Sequence, residues 1–279
     1  MRRNFHLHLI SDSTGETLMS VSRAAAAQYE GVSAIEHIYP LVRSLEQLDK
    51  AIAEIEAAPG IVLYTLVDSE LIDRLEAACR DAGAPTFSVL GPILNFFEAF
   101  IGVQATPRPG AQHILDADYY RRIDALNYSM MCDDGQNVDA YEEADVVLVG
   151  ISRTSKTPTS IYLANRGVKT ANIPMVPRVL LPRAVRTLVR PLVVGLIATP
   201  DRIVQIRQNR LIAMNDMANV DYVDKKLVAE EIAFSRRYFE QQGWPVIDVT
   251  RRSIEETAAS VMDLMRAHRY KSIALDPTL

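Results

Sequence analysis

The chain has 279 residues, 48% of them hydrophobic, and a formal net charge of −5. This length suffices to bury a substantial core in one or two domains. The negative charge excludes a general electrostatic attraction to nucleic acid or acidic membranes, so any anion site must be local. Cys79 and Cys132 lack metal-binding or redox spacing and are expected to be reduced core thiols.

No targeting or membrane-spanning segment is predicted. His6 and His8 interrupt the first apolar stretch, residues 5–10, which is too short for a secretory signal. The longest later apolar run, residues 188–198, contains Arg190 and Pro191 and falls far short of the roughly 20 residues of a membrane span. We expect a cytoplasmic protein without membrane or nucleic-acid partners. The sequence leaves the oligomeric state open, a homo-oligomer included.

The first half of the chain alternates between strand and helix patterns. Strands are predicted at residues 5–10, 61–66 and 86–90, and helices at residues 17–29, 45–57, 69–82 and 92–100. Strands separated by helices of this length indicate βαβ units and a mainly parallel sheet. His6 and His8 share one face of the first strand, and we expect a partly buried pair with ordinary hydrogen bonds.

A polar loop, SDSTGET at residues 11–17, follows the first strand. Its hydroxyl and N–H groups could bind an anion or part of a partner protein. Alternatively, Ser13 or Thr14 caps the following helix, with Glu16 or Thr17 near its positive end.

The best candidate for a linker is residues 104–112, which contain Pro107, Pro109 and Gly110. We therefore predict an amino-terminal α/β domain at residues 1–108 and a second domain at residues 109–279. A helix is predicted at residues 117–131, just before Asp133 and Asp134. These carboxylates could hold Mg²⁺ or accept a proton, or they could form a surface turn with Gly135.

A buried strand at residues 146–149 leads into a loop that resembles a phosphate-binding P-loop. The loop residues are, in order, Gly150, Ile151, Ser152, Arg153, Thr154, Ser155, Lys156 and Thr157. They match G-x-x-x-x-G-K-[ST], except that Ser155 replaces the second glycine, and an apolar helical segment follows. The alternative interpretation is a helix start capped by serine and threonine.

The chemistry of such a loop is the binding of an anionic phosphate by backbone N–H groups and the positive end of a helix. Lys156 would reach the terminal phosphate, and Thr157 would offer its hydroxyl to Mg²⁺. A serine held at positive φ costs about 1 kcal/mol, so Ser155 weakens the match to the general motif.

The remaining pattern resembles the nucleoside-monophosphate kinase branch of P-loop proteins. Strands are predicted at residues 170–173, 193–198 and 246–249, and helices from residue 199 and at residues 224–242 and 254–268. Arg207 and Arg210 would clamp phosphates or form a solvated helix face. The strand at residues 193–198 lacks the acidic residue of a Walker B motif, so a second Mg²⁺ contact must come from elsewhere, with Asp133 or Asp134 as candidates.

The run GISRTSKTPTSIYLANRGVKTANIPMVP, residues 150–177, closely resembles the signature of the bacterial pyruvate, phosphate dikinase regulatory proteins, Ser155 included. Other matching segments are SDSTGET at 11–17, RIDALNYSMMCDDGQ at 122–136, IRQNRL at 206–211 and VIDVTRRSIEETAA at 246–259. The resemblance spans nearly the whole chain. It implies an α/β protein with an amino-terminal, mainly parallel domain and a carboxy-terminal P-loop kinase-like domain.

The resemblance also implies a bifunctional enzyme. With ADP as donor, the family phosphorylates an active-site threonine of the dikinase whose catalytic histidine is phosphorylated, and so inactivates it. With inorganic phosphate the family removes that group and releases pyrophosphate. On this basis the loop backbone and Lys156 hold the β-phosphate of ADP, and Thr157 contacts Mg²⁺. Arg153 contacts the transferring group, and Asp134 is the base.

Three alternatives stay open at this point. The related phosphoenolpyruvate synthase regulatory proteins usually have glycine where this chain has Ser155, which favours the dikinase branch. A small-molecule kinase would act on a free nucleoside monophosphate. A non-enzymatic adaptor would bind ADP and a partner without transferring phosphate.

Overall fold

A computed structural model describes residues 3–106, 108–111, 117–176, 179–214 and 221–275. The chain divides into two compact units, residues 1–114 and 115–279. The boundary predicted from the proline-rich segment is at residues 108 and 109. Both units are α/β, as predicted, and each contains a parallel four-stranded sheet in its described part.

The first unit alternates strands and helices. Its elements are β1 (Arg3–Ile10), α1 (Glu16–Ala26), β2 (Val32–Tyr39), α2 (Leu45–Ala57), β3 (Ile61–Tyr64), α3 (Ser69–Asp81), β4 (Thr86–Ser88) and α4 (Gly91–Ile101). The strand order is β2-β1-β3-β4. One core cluster joins β1 and β3 to α2 and α3, and includes Ile10, Leu48, Val62 and Leu75.

β2 is a strand that the sequence analysis did not predict. It lies at one edge of the sheet, and its two faces both mix apolar and polar residues, so no clean alternation marks it. His37 pairs in register with His8. His8 is fully buried, with Nδ1 3.1 Å from the Tyr39 hydroxyl and Nε2 donating to the Ala58 carbonyl oxygen at 2.9 Å. His6 lies 2.9 Å from His37, so the predicted hydrogen-bonded histidines are part of the sheet packing.

The second unit repeats this arrangement. Its elements are α5 (Ala117–Met131), a 3-10 turn (Val138–Glu143), β5 (Val146–Gly150), α6 (Lys156–Ala164), β6 (Thr170–Pro174), α7 (Arg183–Arg186), β7 (Leu192–Ile197), α8 (Pro200–Met214), a 3-10 turn (Asp221–Val223), α9 (Lys225–Gln242), β8 (Val246–Asp248) and α10 (Ile254–Leu275). The strand order is β6-β5-β7-β8. It matches that of the first unit, with β5 in the place of β1.

Close packing explains the glycine in the middle of β7. A Cβ atom at Gly195 would lie 2.4 Å from the ring of Phe239, which is fully buried on α9. The ring can therefore pack against the strand only because the side chain is absent.

Cys79 and Cys132 are free and buried, as expected for core thiols. Burial raises the pKa of the Cys79 thiol to about 11. Over the part of the chain that the structure describes, every helix is too short or too polar to cross a membrane.

Candidate active site

The candidate site begins where β5 leaves the centre of its sheet. β5 lies between β6 and β7, and all five of its residues are buried. Gly150 ends the strand, and a Cβ atom there would lie 2.6 Å from the Leu196 carbonyl oxygen and 2.6 Å from Oγ1 of Thr154. Because only glycine fits so close to backbone, this residue is required for the sharp turn that follows.

The predicted loop, which we call the 150–157 loop, has an unusual backbone. Arg153 and Ser155 adopt left-handed conformations, with φ of 77° and 60°. Ser155 precedes α6 directly, but its side chain makes no capping hydrogen bond. The alternative of a helix start capped by serine and threonine is therefore not borne out at the N-cap position, and the first N–H groups of α6 keep their donor capacity. The positive end of α6 faces the loop and suits an anion.

Lys156 turns its side chain back beneath the loop. It is 6% exposed, and its Nζ donates to the Ile151 carbonyl oxygen at 3.1 Å. Burial lowers the pKa of Lys156 to about 8, although the nearby carboxylates of Asp134 and Asp133 oppose that shift. A buried ammonium with a neutral carbonyl as its partner is only partly compensated, and a phosphate oxygen would supply the missing charge.

Arg153 provides a second cationic group with an unused donor. Its Nε is buried and has no hydrogen-bond partner among the described residues. A buried guanidinium N–H without an acceptor is unfavourable, whereas a phosphate oxygen would bind it strongly. The backbone N–H groups of the loop, the Lys156 ammonium and the Nε of Arg153 are therefore suited to bind a phosphate group.

Carboxylates reach the loop from the segment between α5 and β5. The Thr157 hydroxyl donates to Oδ1 of Asp133 at 2.9 Å. In P-loop proteins the hydroxyl at this position and an acidic side chain together hold Mg²⁺. Asp133, one of the two candidates that the sequence offered, thus lies beside the Thr157 hydroxyl, on the β6 side of β5 and not on β7, where a Walker B carboxylate would be expected. Asp134 is exposed beside it, with a left-handed φ of 52°.

Asn172 fixes this carboxylate segment to the sheet. It is fully buried on β6, and its Nδ2 donates to Oδ1 of Asp133 at 2.5 Å. Its Oδ1 accepts the backbone N–H of Asp134 at 3.2 Å, and its carbonyl oxygen accepts the N–H of Gly135 at 2.9 Å. Residues 133–136 do form a turn, as that alternative predicted, with the Gln136 N–H donating to the Asp133 carbonyl oxygen at 3.1 Å. The bonds from Asn172 attach this turn to β6. Asn172 was not among the predicted site residues, although a lone amide inside the apolar strand TANIP was a usable signal.

Arg207 is buried and paired with an acidic side chain. It is 2% exposed, and its Nη2 donates to Oε2 of Glu231 at 2.7 Å. Its guanidinium also lies 4.5 Å from the ring centre of Tyr222, whose hydroxyl is 3.1 Å from Oγ of Ser152 in the loop. The solvated-face alternative is therefore wrong for Arg207, which is buried and contacts the loop through Tyr222. Its Nε has no hydrogen-bond partner among the described residues, and the phosphate-clamp hypothesis stays a prediction. A sequence pattern could not reveal these contacts, because Arg207, Tyr222 and Glu231 come from separate elements.

A parallel α/β unit with this loop, a buried lysine and a carboxylate beside the loop hydroxyl has the construction of a P-loop phosphotransferase. The chain belongs to the kinase/pyrophosphorylase family, whose sequence profile matches residues 7–262. The resemblance seen in residues 150–177 is thereby confirmed, and the protein is an enzyme of the phosphotransferase type.

Relatives are similar along nearly their whole length. A protein of Rhodopseudomonas palustris strain BisA53 is 59% identical over 262 residues, covering 94% of this chain and 94% of that protein. Proteins of Afipia carboxidovorans and Bradyrhizobium diazoefficiens are 59% identical over 266 and 261 residues, covering 93% of this chain and 94% of each relative. All three carry the provisional name pyruvate, phosphate dikinase regulatory protein.

Proposed function

We propose that this protein regulates pyruvate, phosphate dikinase by reversible phosphorylation. In one direction it transfers the β-phosphoryl group of ADP to an active-site threonine of the dikinase, which inactivates the dikinase. In the other direction inorganic phosphate takes the group from that threonine, and pyrophosphate is released. The target is supported by the names of the relatives, and the family description supports the two reaction types.

The observation that carries the proposed chemistry is the hydrogen bond between Thr157 and Asp133 beside the buried Lys156. ADP supplies the transferable phosphoryl group, and Mg²⁺ would neutralise the charge on its phosphates. The backbone of the 150–157 loop and Lys156 would hold the β-phosphate, and Thr157 with Asp133 would bind the metal. The unpaired Nε of Arg153 would bind an oxygen of the transferring group.

Asp134 is the proposed base. Asp133 is already engaged by Thr157 and Asn172, whereas the carboxylate of Asp134 is exposed and its backbone is fixed by Asn172. Asp134 would take the proton of the threonine hydroxyl as the new oxygen to phosphorus bond forms and AMP leaves. In the reverse direction it would orient inorganic phosphate toward the phosphothreonine.

The test is incubation of the protein with ADP, Mg²⁺ and histidine-phosphorylated dikinase, followed by mass spectrometry. A new phosphothreonine on the dikinase is the expected result. Pyrophosphate should appear when the phosphorylated dikinase is then incubated with the protein and inorganic phosphate. Phosphoenolpyruvate synthase in its histidine-phosphorylated form serves as the comparison target. Modification of the synthase alone would overturn the target, and modification of neither would overturn the enzymatic proposal.

Lys156→Met is the matched inactive variant for this experiment. Both directions should be lost together, because both need the same phosphate-binding ammonium. Retention of either direction would contradict a shared site.

A further inference from the structure

The first unit contains a cavity of about 330 Å³ at the carboxyl ends of β1 and β3. The strand order reverses there, because the chain passes from β1 to β2 on one side and from β3 to β4 on the other. Open α/β sheets bind ligands at such a switch point. The 150–157 loop occupies the equivalent position in the second unit, after β5.

One wall of the cavity is the segment that joins β1 to α1. Ser11, Asp12 and Ser13 line it, followed by Gly15 and Thr17 at the start of α1. α1 has no side-chain cap, and Gly15 before it adopts a left-handed φ of 81°. The start of the helix therefore presents N–H groups and a positive dipole end to the cavity.

The backbone oxygens of this segment are occupied elsewhere. The carbonyl oxygens of Ser11, Asp12 and Ser13 accept hydrogen bonds of 2.8 to 2.9 Å from residues 41–43. Leu41 adopts a left-handed φ of 59° within that clamp. The N–H groups of Ser11 and Ser13 also donate within the protein, to the Tyr39 carbonyl oxygen at 3.0 Å and to Oγ of Ser11 at 3.1 Å. The segment is therefore fixed, and the N–H groups that face a ligand are those at the start of α1.

Two buried polar side chains in the cavity have unused hydrogen-bonding capacity. Ser13 is 5% exposed, and its hydroxyl makes no hydrogen bond to any described residue. Asp12 is equally buried, and its Oδ2 accepts the Val67 N–H at 3.2 Å. Its other carboxylate oxygen receives no hydrogen bond from another residue of the described chain. Both side chains therefore have hydrogen-bonding capacity for a molecule that enters the cavity.

The other residues that line the cavity indicate which class of molecule it can bind. Arg108 contributes a positive charge, and Leu66, Ile72 and Leu94 contribute an aliphatic wall. A cavity of this size suits a small organic molecule. The N–H groups of α1, the Ser13 hydroxyl and Arg108 are donors for an anionic phosphate, while Asp12 can accept from a hydroxyl group.

We propose that this cavity is a second ligand site, which binds a small phosphorylated metabolite carrying at least one free hydroxyl group. The phosphate lies at the start of α1, and the hydroxyl donates to Asp12. The site goes beyond the proposed kinase function, because it uses no residue of the 150–157 loop.

The test uses the full-length chain carrying Lys156→Met, which removes the main cation of the other phosphate site. Ribose 5-phosphate is titrated by calorimetry, with ribose and inorganic phosphate as partial probes. We expect saturable binding of ribose 5-phosphate at one site per chain, at least tenfold tighter than either partial probe. Ser13→Ala should weaken that binding about tenfold, and Leu94→Trp, which fills the cavity from α4, should abolish it.

Ser33→Ala is the matched control, since Ser33 is exposed on β2 and does not line the cavity. It should leave binding unchanged, and thermal unfolding should show that each variant is folded. The proposal is overturned if ribose 5-phosphate does not bind the Lys156→Met chain. It is equally overturned if folded Ser13→Ala and Leu94→Trp variants bind as tightly as the Ser33→Ala control. Neither result would alter the proposed kinase function, whose test relies on a different site.

Discussion

At the scale of single residues, Lys156 is held in an unfavourable state until an anion arrives. Its folded-state pKa of about 8 lies well below the ordinary value of 10.5, because burial disfavours the charged amine. The protein therefore gives up stability to keep a cation beneath the loop. Such a trade between stability and function is common at binding sites.

Replacing Lys156 with methionine should stabilise the ligand-free protein at neutral pH. Methionine keeps the length and removes the buried charge, so we expect a gain on the order of 1 to 3 kcal/mol. Thermal unfolding measures the gain, and calorimetry should show that ADP binding is lost. Lys50→Met, at an exposed lysine, is the control and should change neither quantity. A less stable Lys156→Met variant would contradict this account of the buried charge.

The lowered pKa also predicts how ADP binding depends on pH. Above about pH 8 the ligand-free lysine loses its proton, so ADP affinity should fall by up to about tenfold per pH unit. Lys156→Arg stays charged throughout and should not show this fall. Calorimetric titrations from about pH 7 to about pH 9.5 provide the comparison. A pH-independent affinity in the wild type would show that Lys156 does not pair with the phosphate.

In the ligand-free protein, Lys156 makes stability rise with pH, whereas ADP affinity falls with pH. Between its folded pKa of about 8 and its unfolded value near 10.5, the unfolded chain binds more protons than the folded chain. The contribution of Lys156 to the free energy of unfolding therefore rises with pH across that window.

At the scale of elements, the segment between α5 and β5 carries two neighbouring carboxylates with different proposed roles. Asp133 binds the metal, and Asp134 is the base. Asp133→Asn should raise the Mg²⁺ concentration for half-maximal phosphorylation by about tenfold or more, because it weakens the metal side of the site. Asp134→Asn should leave that concentration and the ADP affinity unchanged and lower kcat by about 10² to 10⁴. Steady-state phosphorylation at varied Mg²⁺ separates the two effects. The same phenotype in both variants would refute the division.

Gly150 is the position at which β5 tolerates no side chain. Gly150→Ala should destabilise the second unit by about 1 to 3 kcal/mol, because the new methyl group would meet the Leu196 carbonyl oxygen. Gly243→Ala is the control, since its methyl group would meet nothing within 4 Å and only its φ of 66° opposes it. That change should cost about 1 kcal/mol. Denaturant unfolding measures both, and a smaller loss at Gly150 than at Gly243 would contradict the steric argument.

The sequence predicted the features that depend on local pattern. The alternation of strands and helices, the loop after β5 and the candidate carboxylate Asp133 could all be read from neighbouring residues. β2 was not predicted because both faces of this edge strand carry a mixture of apolar and polar side chains. The role of Asn172 and the burial of Arg207 were not predicted because their partners are distant in sequence, and only the fold brings them together.

At the scale of the whole molecule, both units use one strand order and place a polar loop after the equivalent strand. The residues assigned to the proposed phosphoryl transfer all belong to the second unit, residues 115–279. We therefore predict that a fragment of residues 115–279 binds ADP with the affinity of the full chain. Calorimetry on the purified fragment tests this, with the Lys156→Met fragment as the control. A folded fragment with a much weaker affinity would mean that the first unit contributes to ADP binding.

Asp133 comes before β5 in the chain, whereas the 150–157 loop follows β5. A shorter protein that started at β5 would retain the 150–157 loop, Lys156 and Thr157, and it would lose the carboxylate that meets the Thr157 hydroxyl. We expect such a truncated chain to hold a polyphosphate but to transfer nothing. The few residues between α5 and β5 would then mark the difference between a nucleotide receptor and a catalyst.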